Sequence, residues 1–339
     1  MREFRHCLTM SESLNHDPIA RLPSGLFGAA LGLSGIAAAW SKIGDLEFVD
    51  PGIGFALGMV AALVFSVCSL ALGAKAILRP AAALGDLRDP NRLAPYGAGA
   101  MSLMGIGALL AAKAPNLGTA IWQTGALFDG LICIFFCARL LAGRWSFNAA
   151  GPLWLVPAVG AIAAPASGIG LGQDLASGIL FGQGIMGLTL VLPAIIVRMS
   201  FHDRPPTGAP LAILLTPPGL GCVSLIAMNG GVDHLAFGIY GAAVTIAGGL
   251  CFLGVHIAQA PPNINLWTLI FPMANFSIAT LLVGSGSDTP VLVWFGIGLT
   301  ILVSLMGIAI LGWTGFILSR GGFTTQGLIF RGHIHQTGQ

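Results

Sequence analysis

Ten apolar stretches, each long enough to cross a lipid bilayer, follow one another along this chain with little polar sequence between them. They fall near residues 21–41, 52–78, 93–114, 118–142, 152–172, 175–199, 209–229, 234–258, 263–284 and 290–318. A hydrocarbon core of about 30 Å needs about 20 residues of helix. Only helices and closed barrels satisfy their own backbone in lipid, and these runs lack the period-2 alternation of barrel strands. The expected fold class is an all-α membrane protein of ten transmembrane helices. Composition leaves no soluble alternative, because 8% of the 339 residues are charged and a soluble domain carries about 25%. The 49 glycines agree, since glycine lets membrane helices approach closely. A net charge of +2 gives no footing for a nucleic-acid partner.

Charge in the loops sets the expected orientation. Thirteen of the fifteen basic residues fall on one face: Arg2, Arg5, Arg21, Lys75, Arg79, Arg88, Arg92, Arg139, Arg144, Arg198, Arg204, Arg320 and Arg331. Only Lys42 and Lys113 fall on the other, where the short loops carry acids instead. The positive-inside rule makes the basic face cytoplasmic. Residues 1–19 then read as a cytoplasmic tail without the apolar core of a signal peptide, 20–320 as the membrane domain, and 321–339 as a second cytoplasmic tail. His333 and His335 in that tail have no further ligands nearby, so no metal site is expected.

Prolines recur at Pro23, Pro95, Pro157, Pro217/Pro218 and Pro272, 55 to 72 residues apart, always in an odd-numbered stretch. Four of these five sites are followed closely by glycine, and the even stretches hold one interior proline, Pro193. The pattern reads as five helical hairpins whose first member is bent. A helix-interior proline removes one hydrogen bond, and membrane helices tolerate this where the freed carbonyl meets protein or a water-filled cavity. The odd helices are therefore expected inside, around a central pore, with the even helices outside. Pro23 and Pro95 also fit ordinary helix starts.

Candidate lining groups on the odd helices are Ser34, Ser102, Ser167, Thr216, Asn275 and Ser277. Hydroxyls and kinked backbone bind an ion weakly enough to let it leave, although each hydroxyl alone is compatible with ordinary helix contact. Asp129, near the middle of the fourth helix, is the one acid expected at bilayer depth, where acids are functional candidates. It reads as a proton- or cation-coupling group, or as a buried neutral acid bonded to Gln123 or Gln183. Cys133 and Cys137 share a helix face without further ligands and read as packing residues. An intramembrane enzyme would need converging ionisable groups. Asp129, Cys133 and Cys137 share one helix, but His256 sits near the cytoplasmic end of the eighth, so neither enzyme nor cofactor is expected.

Three segments resemble the tellurite-resistance/dicarboxylate transporter family, which includes bacterial tellurite-resistance membrane proteins, yeast malate and sulfite transporters and plant slow-type anion channels. The segments are Phe27-Gly28-Ala29-Ala30-Leu31-Gly32-Leu33-Ser34-Gly35 with Trp40; Leu211 to Gly230 with Pro217-Pro218 and Asn229-Gly230-Gly231; and Trp267-Thr268-Leu269-Ile270-Phe271-Pro272-Met273 followed by Ser277-Ile278-Ala279-Thr280. The likeness runs from about 20 to about 320. It implies a homotrimer with one pore per subunit, lined by the five odd helices. It also implies a helix-9 phenylalanine that closes the pore, and Phe271 matches that position. Phe271 stands about eight residues into its helix, so about 12 Å deep at 1.5 Å per residue. Two features depart from the family. Asp86-Leu87-Arg88-Asp89-Pro90 stands where many members have a Glu and a His-Pro pair, and regulatory tails of the plant type have no counterpart.

The expected function is an inner-membrane anion channel or facilitator for small inorganic or organic anions. The alternative is a proton-coupled carrier of C4-dicarboxylate, tellurite or sulfite.

Overall fold

Proline and short polar caps begin many of the helices. The computed structural model describes residues 19–20, 22–201, 208–254 and 264–319; the N-terminal tail up to residue 18, the C-terminal tail, Arg21, Arg204 and His256 lie outside them. The described residues hold ten helical spans long and apolar enough to cross a membrane: α1 Ser24–Asp45, α2 Gly52–Leu78, α3 Pro90–Ala111, α4 Pro115–Leu141, α5 Pro152–Leu171, α6 Asp174–Phe201, α7 Ala209–Asn229, α8 His234–Phe252, α9 Asn265–Gly286 and α10 Pro290–Ile317. Proline stands first in α3, α4, α5 and α10, where its missing N–H costs nothing. Asp89 caps α3 by accepting from Asn91 N at 2.9 Å, and Asp233 caps α8 through Ala236 N at 2.7 Å. Gly230 ends α7 in the left-handed region, at φ 69°.

Odd and even spans differ in kind. The even spans are single α-helices. In α5 the helix breaks into alternating short α and 3-10 pieces, and α7 and α9 each begin as 3-10 helix, Ala209–Leu215 and Ile264–Leu269. The odd spans bury 61–72% of their apolar windows and the even spans 11–33%. Contacts run from α1 to α3, α3 to α5, α5 to α7, α7 to α9, and from α9 back to α1. The five odd spans thus close a ring within one chain, and each even span packs on an odd neighbour.

One end of the ring is fastened by a buried ion pair. Lys75, in the last turn of α2, reaches Asp86 Oδ2 at 2.6 Å and donates to Leu22 O at 2.9 Å. Asp86 lies on a short helix, Pro80–Arg88, between α2 and α3. It also accepts from Tyr96 OH at 3.3 Å and has Arg92 Nη1 3.7 Å away. The basic residues of this connection read from sequence as one charged face, yet Lys75 and Asp86 are each 3% exposed. Burial is tolerable because each charge meets its opposite and further polar partners.

Candidate functional site

Two chambers lie inside the ring. The smaller, about 80 Å³, is walled only by odd spans: Gly25 and Gly28 of α1, Asn91 and Pro95 of α3, Leu153 and Gly160 of α5, Thr216 and Pro217 of α7, and Thr268 and Pro272 of α9, among others. It sits toward the N-terminal ends of those spans, and no charged side chain lines it. The larger, about 560 Å³, lies toward their C-terminal ends, with a contribution from the start of α2. Phe271 and Met101 are the two residues that line both chambers. A ring and a thioether therefore form the partition.

The prolines explain the small chamber's chemistry. Proline leaves the carbonyl four residues earlier without its α-helical donor. For Pro95, Pro157, Pro217 and Pro272 those carbonyls belong to Asn91, Leu153, Ile213 and Thr268, and all four residues line the small chamber. In α7 the 3-10 geometry returns a partner, since Thr216 N donates to Ile213 O. The chamber of about 80 Å³ is walled almost entirely by apolar groups, so these backbone carbonyls are the main polar groups near it. Pro23 only precedes the first turn, and neither it, Pro157 nor Pro218 lines a chamber. Pro157 is instead buried beside α3, where a Cβ on Gly97 would approach its Cα to 3.3 Å.

The hydroxyl and amide groups divide. Thr216 lines the small chamber, and Ser34, Ser167 and Asn275 line the large one. Ser34 Oγ donates to Leu31 O at 2.9 Å, and Ser167 Oγ accepts from Trp122 Nε1 at 2.9 Å. Asn275 Nδ2 donates to Phe271 O at 2.9 Å, which holds one helical turn beside the partition. Ser102 and Ser277 line neither chamber. Ser102 is fully buried and bonds back to Ala98 O at 2.7 Å, while Ser277 bonds to Ala274 O and pairs with Thr300 of α10 at 3.0 Å. Asn275 and Ser277 share α9 and differ only in helical phase, which residue type alone does not carry.

Asp129 of α4 is 1% exposed and outside both chambers, and its Oδ2 has no hydrogen-bond partner. Neither glutamine offered by the sequence engages it: Gln123 donates to Gln173 at 3.0 Å, and Gln183 Oε1 is itself unpartnered. The carboxyl stands behind the wall at Gly160, whose added Cβ would lie 2.9 Å from Asp129 Oδ1 and 2.9 Å from Met101 Sδ. Met101 and Gly160 escaped the sequence reading because a methionine and a glycine in apolar helices look like every other core position.

A ring of membrane-length helices around an internal cavity is an architecture of channels and transporters. More narrowly, the chain belongs to the voltage-dependent anion channel family, whose sequence profile matches residues 21–314. It is also similar to the tellurite resistance protein TehA homolog of Haemophilus influenzae, at 24% identity over 260 residues, covering 76% of this chain and 79% of that protein.

Proposed function

We propose that the protein is an inner-membrane anion channel or facilitator, acting as a homotrimer with a pore in each subunit and closed by Phe271. The observation that carries this reading is the place of Phe271 and Met101 between two chambers enclosed by the five odd spans. An apolar constriction stops flow by excluding water as well as by sterics. The N-terminal ends of the odd spans converge on the small chamber, and helix N-termini carry partial positive charge. That field favours an anion without any charged side chain. The basic residues near the same ends support a cytoplasmic location for the small chamber.

Reconstitution of Phe271→Ala into liposomes tests the gate. The variant is expected to express normally and to carry a large constitutive anion current. An ordinary core phenylalanine would instead cost about 3–5 kcal/mol on truncation, and the variant would be unstable and silent. Normal expression with currents no larger than wild type would refute the gate. Ion substitution in the same liposomes, with tellurite, sulfite and C4-dicarboxylates against chloride, identifies the permeant anion.

A coupled carrier is the second reading, favoured by the unpartnered oxygen of Asp129. It takes precedence if Asp129→Asn folds normally and yet abolishes transport.

A further inference from the structure

The two chambers differ in charge as well as in size. The small one has no charged liner, whereas the large one is lined by Lys42, Asp45 and Lys113. Lys42 and Asp45 face each other at 3.7 Å on one turn of α1, with side chains 27% and 61% exposed. Lys113 follows the end of α3 and makes no ion pair among the described residues. The chamber therefore carries one excess positive charge.

Helix ends make that charge necessary. Ala227 of α7 and Leu282 of α9, near the ends of those spans, wall the large chamber along with Ser167 of α5. Helix C-termini carry partial negative charge, which repels an anion. Lys42 stands in the last turn of α1 and Lys113 just past α3, where a cation offsets this field. Low-dielectric walls around a cleft strengthen the effect of a charge inside it. Of the neutral donors in the same chamber, Ser34, Ser167 and Asn275 already have backbone partners, and the hydroxyl of Ser41 carries no net charge that could act at a distance.

We propose that the large chamber is a capture site for small monovalent anions, in which Lys113 supplies the attracting charge and Asp45 moderates that of Lys42. This rests on the channel reading above. Anions collect in the wide chamber, ahead of the Phe271 partition, and the side of the membrane it opens to is the side that feels the capture.

Planar-bilayer recordings on the conducting Phe271→Ala background test it, with chloride varied on one side at a time. Lys113→Gln is expected to lower the current about threefold at about 20 mM chloride and to leave it nearly unchanged at about 1 M, since charges act over about 20 Å in the first solution and about 3 Å in the second. The loss should appear only when chloride is lowered on one side. Lys113→Arg should keep the current, Lys113→Glu should reduce it further, and Asp45→Asn should raise it by releasing Lys42. Unchanged current in Lys113→Gln at low chloride overturns the proposal. So does an equal loss at both concentrations, which marks a structural effect rather than an electrostatic one. If the Phe271→Ala background carries no current with chloride or with any of the other anions, the channel reading fails first and capture falls with it, and a background that conducts another anion but not chloride overturns capture of small monovalent anions alone.

Discussion

A methyl group on Gly160 would lie 2.9 Å from both Met101 Sδ and Asp129 Oδ1. Asp129 is buried outside both cavities, whereas Met101 borders the two and has three rotatable side-chain bonds. The thioether is the group that yields, and the space open to it lies at the partition. Gly160→Ala should therefore reduce the anion current of the Phe271→Ala background several-fold, and Met101→Ala in the same chain should restore it. Bilayer recordings of the three variants decide this; a loss that Met101→Ala leaves untouched would place the damage elsewhere. Lys75 offers a second test at this scale. Its ammonium is buried against Asp86, and removing it leaves the carboxylate with only the Tyr96 hydroxyl and the more distant Arg92, against the about 3–5 kcal/mol lost when a buried charge has no partner at all. Lys75→Met should melt well below the wild type in detergent, and the double variant Lys75→Met/Asp86→Leu should recover much of the loss.

Single glycines decide how closely whole helices approach. A Cβ on Gly187 of α6 would overlap Ala158 O of α5, whereas one on Gly182 of the same helix would meet nothing within 4 Å. Gly187→Leu should therefore abolish a monodisperse peak on size exclusion, and Gly182→Leu should run like the wild type. Both are glycines in an apolar helix, and the sequence does not separate them, because the difference lies in which face meets a neighbour. The elements themselves were far more legible. Ten apolar runs with few charges predict the ten spans, since the bilayer permits little else. The broken α5 was only partly legible: Pro157 announces one interruption, and Pro165, at the start of the short helix that follows the 3-10 piece Gly160–Ala163, marks a second that the proline spacing passed over. The short helix Pro80–Arg88 and the burial of Lys75 were hidden for another reason. A basic residue at the edge of a span looks solvated until its partner, eleven residues on, is folded against it.

At the scale of the molecule, the ring of odd spans closes within a single chain, α9 returning to α1, and both chambers are walled entirely by that chain. A partner subunit would meet only the outer surface, where the even spans leave most of their residues unburied. If the protein is a homotrimer, as we propose, its three gates are then physically separate, and opening one supplies no contact that would open the next. A pore built between subunits would behave otherwise, because one altered subunit would change the lining of a shared path. Mixing the two forms distinguishes these cases. Wild-type and Phe271→Ala chains, carrying different affinity tags and co-expressed, can be purified as mixed oligomers and recorded one at a time. Independent gates predict currents in discrete equal steps, one per altered subunit, with the same chloride dependence at each level. A single intermediate conductance whose ion preference shifts with the number of altered subunits would contradict the closed ring as the unit of conduction.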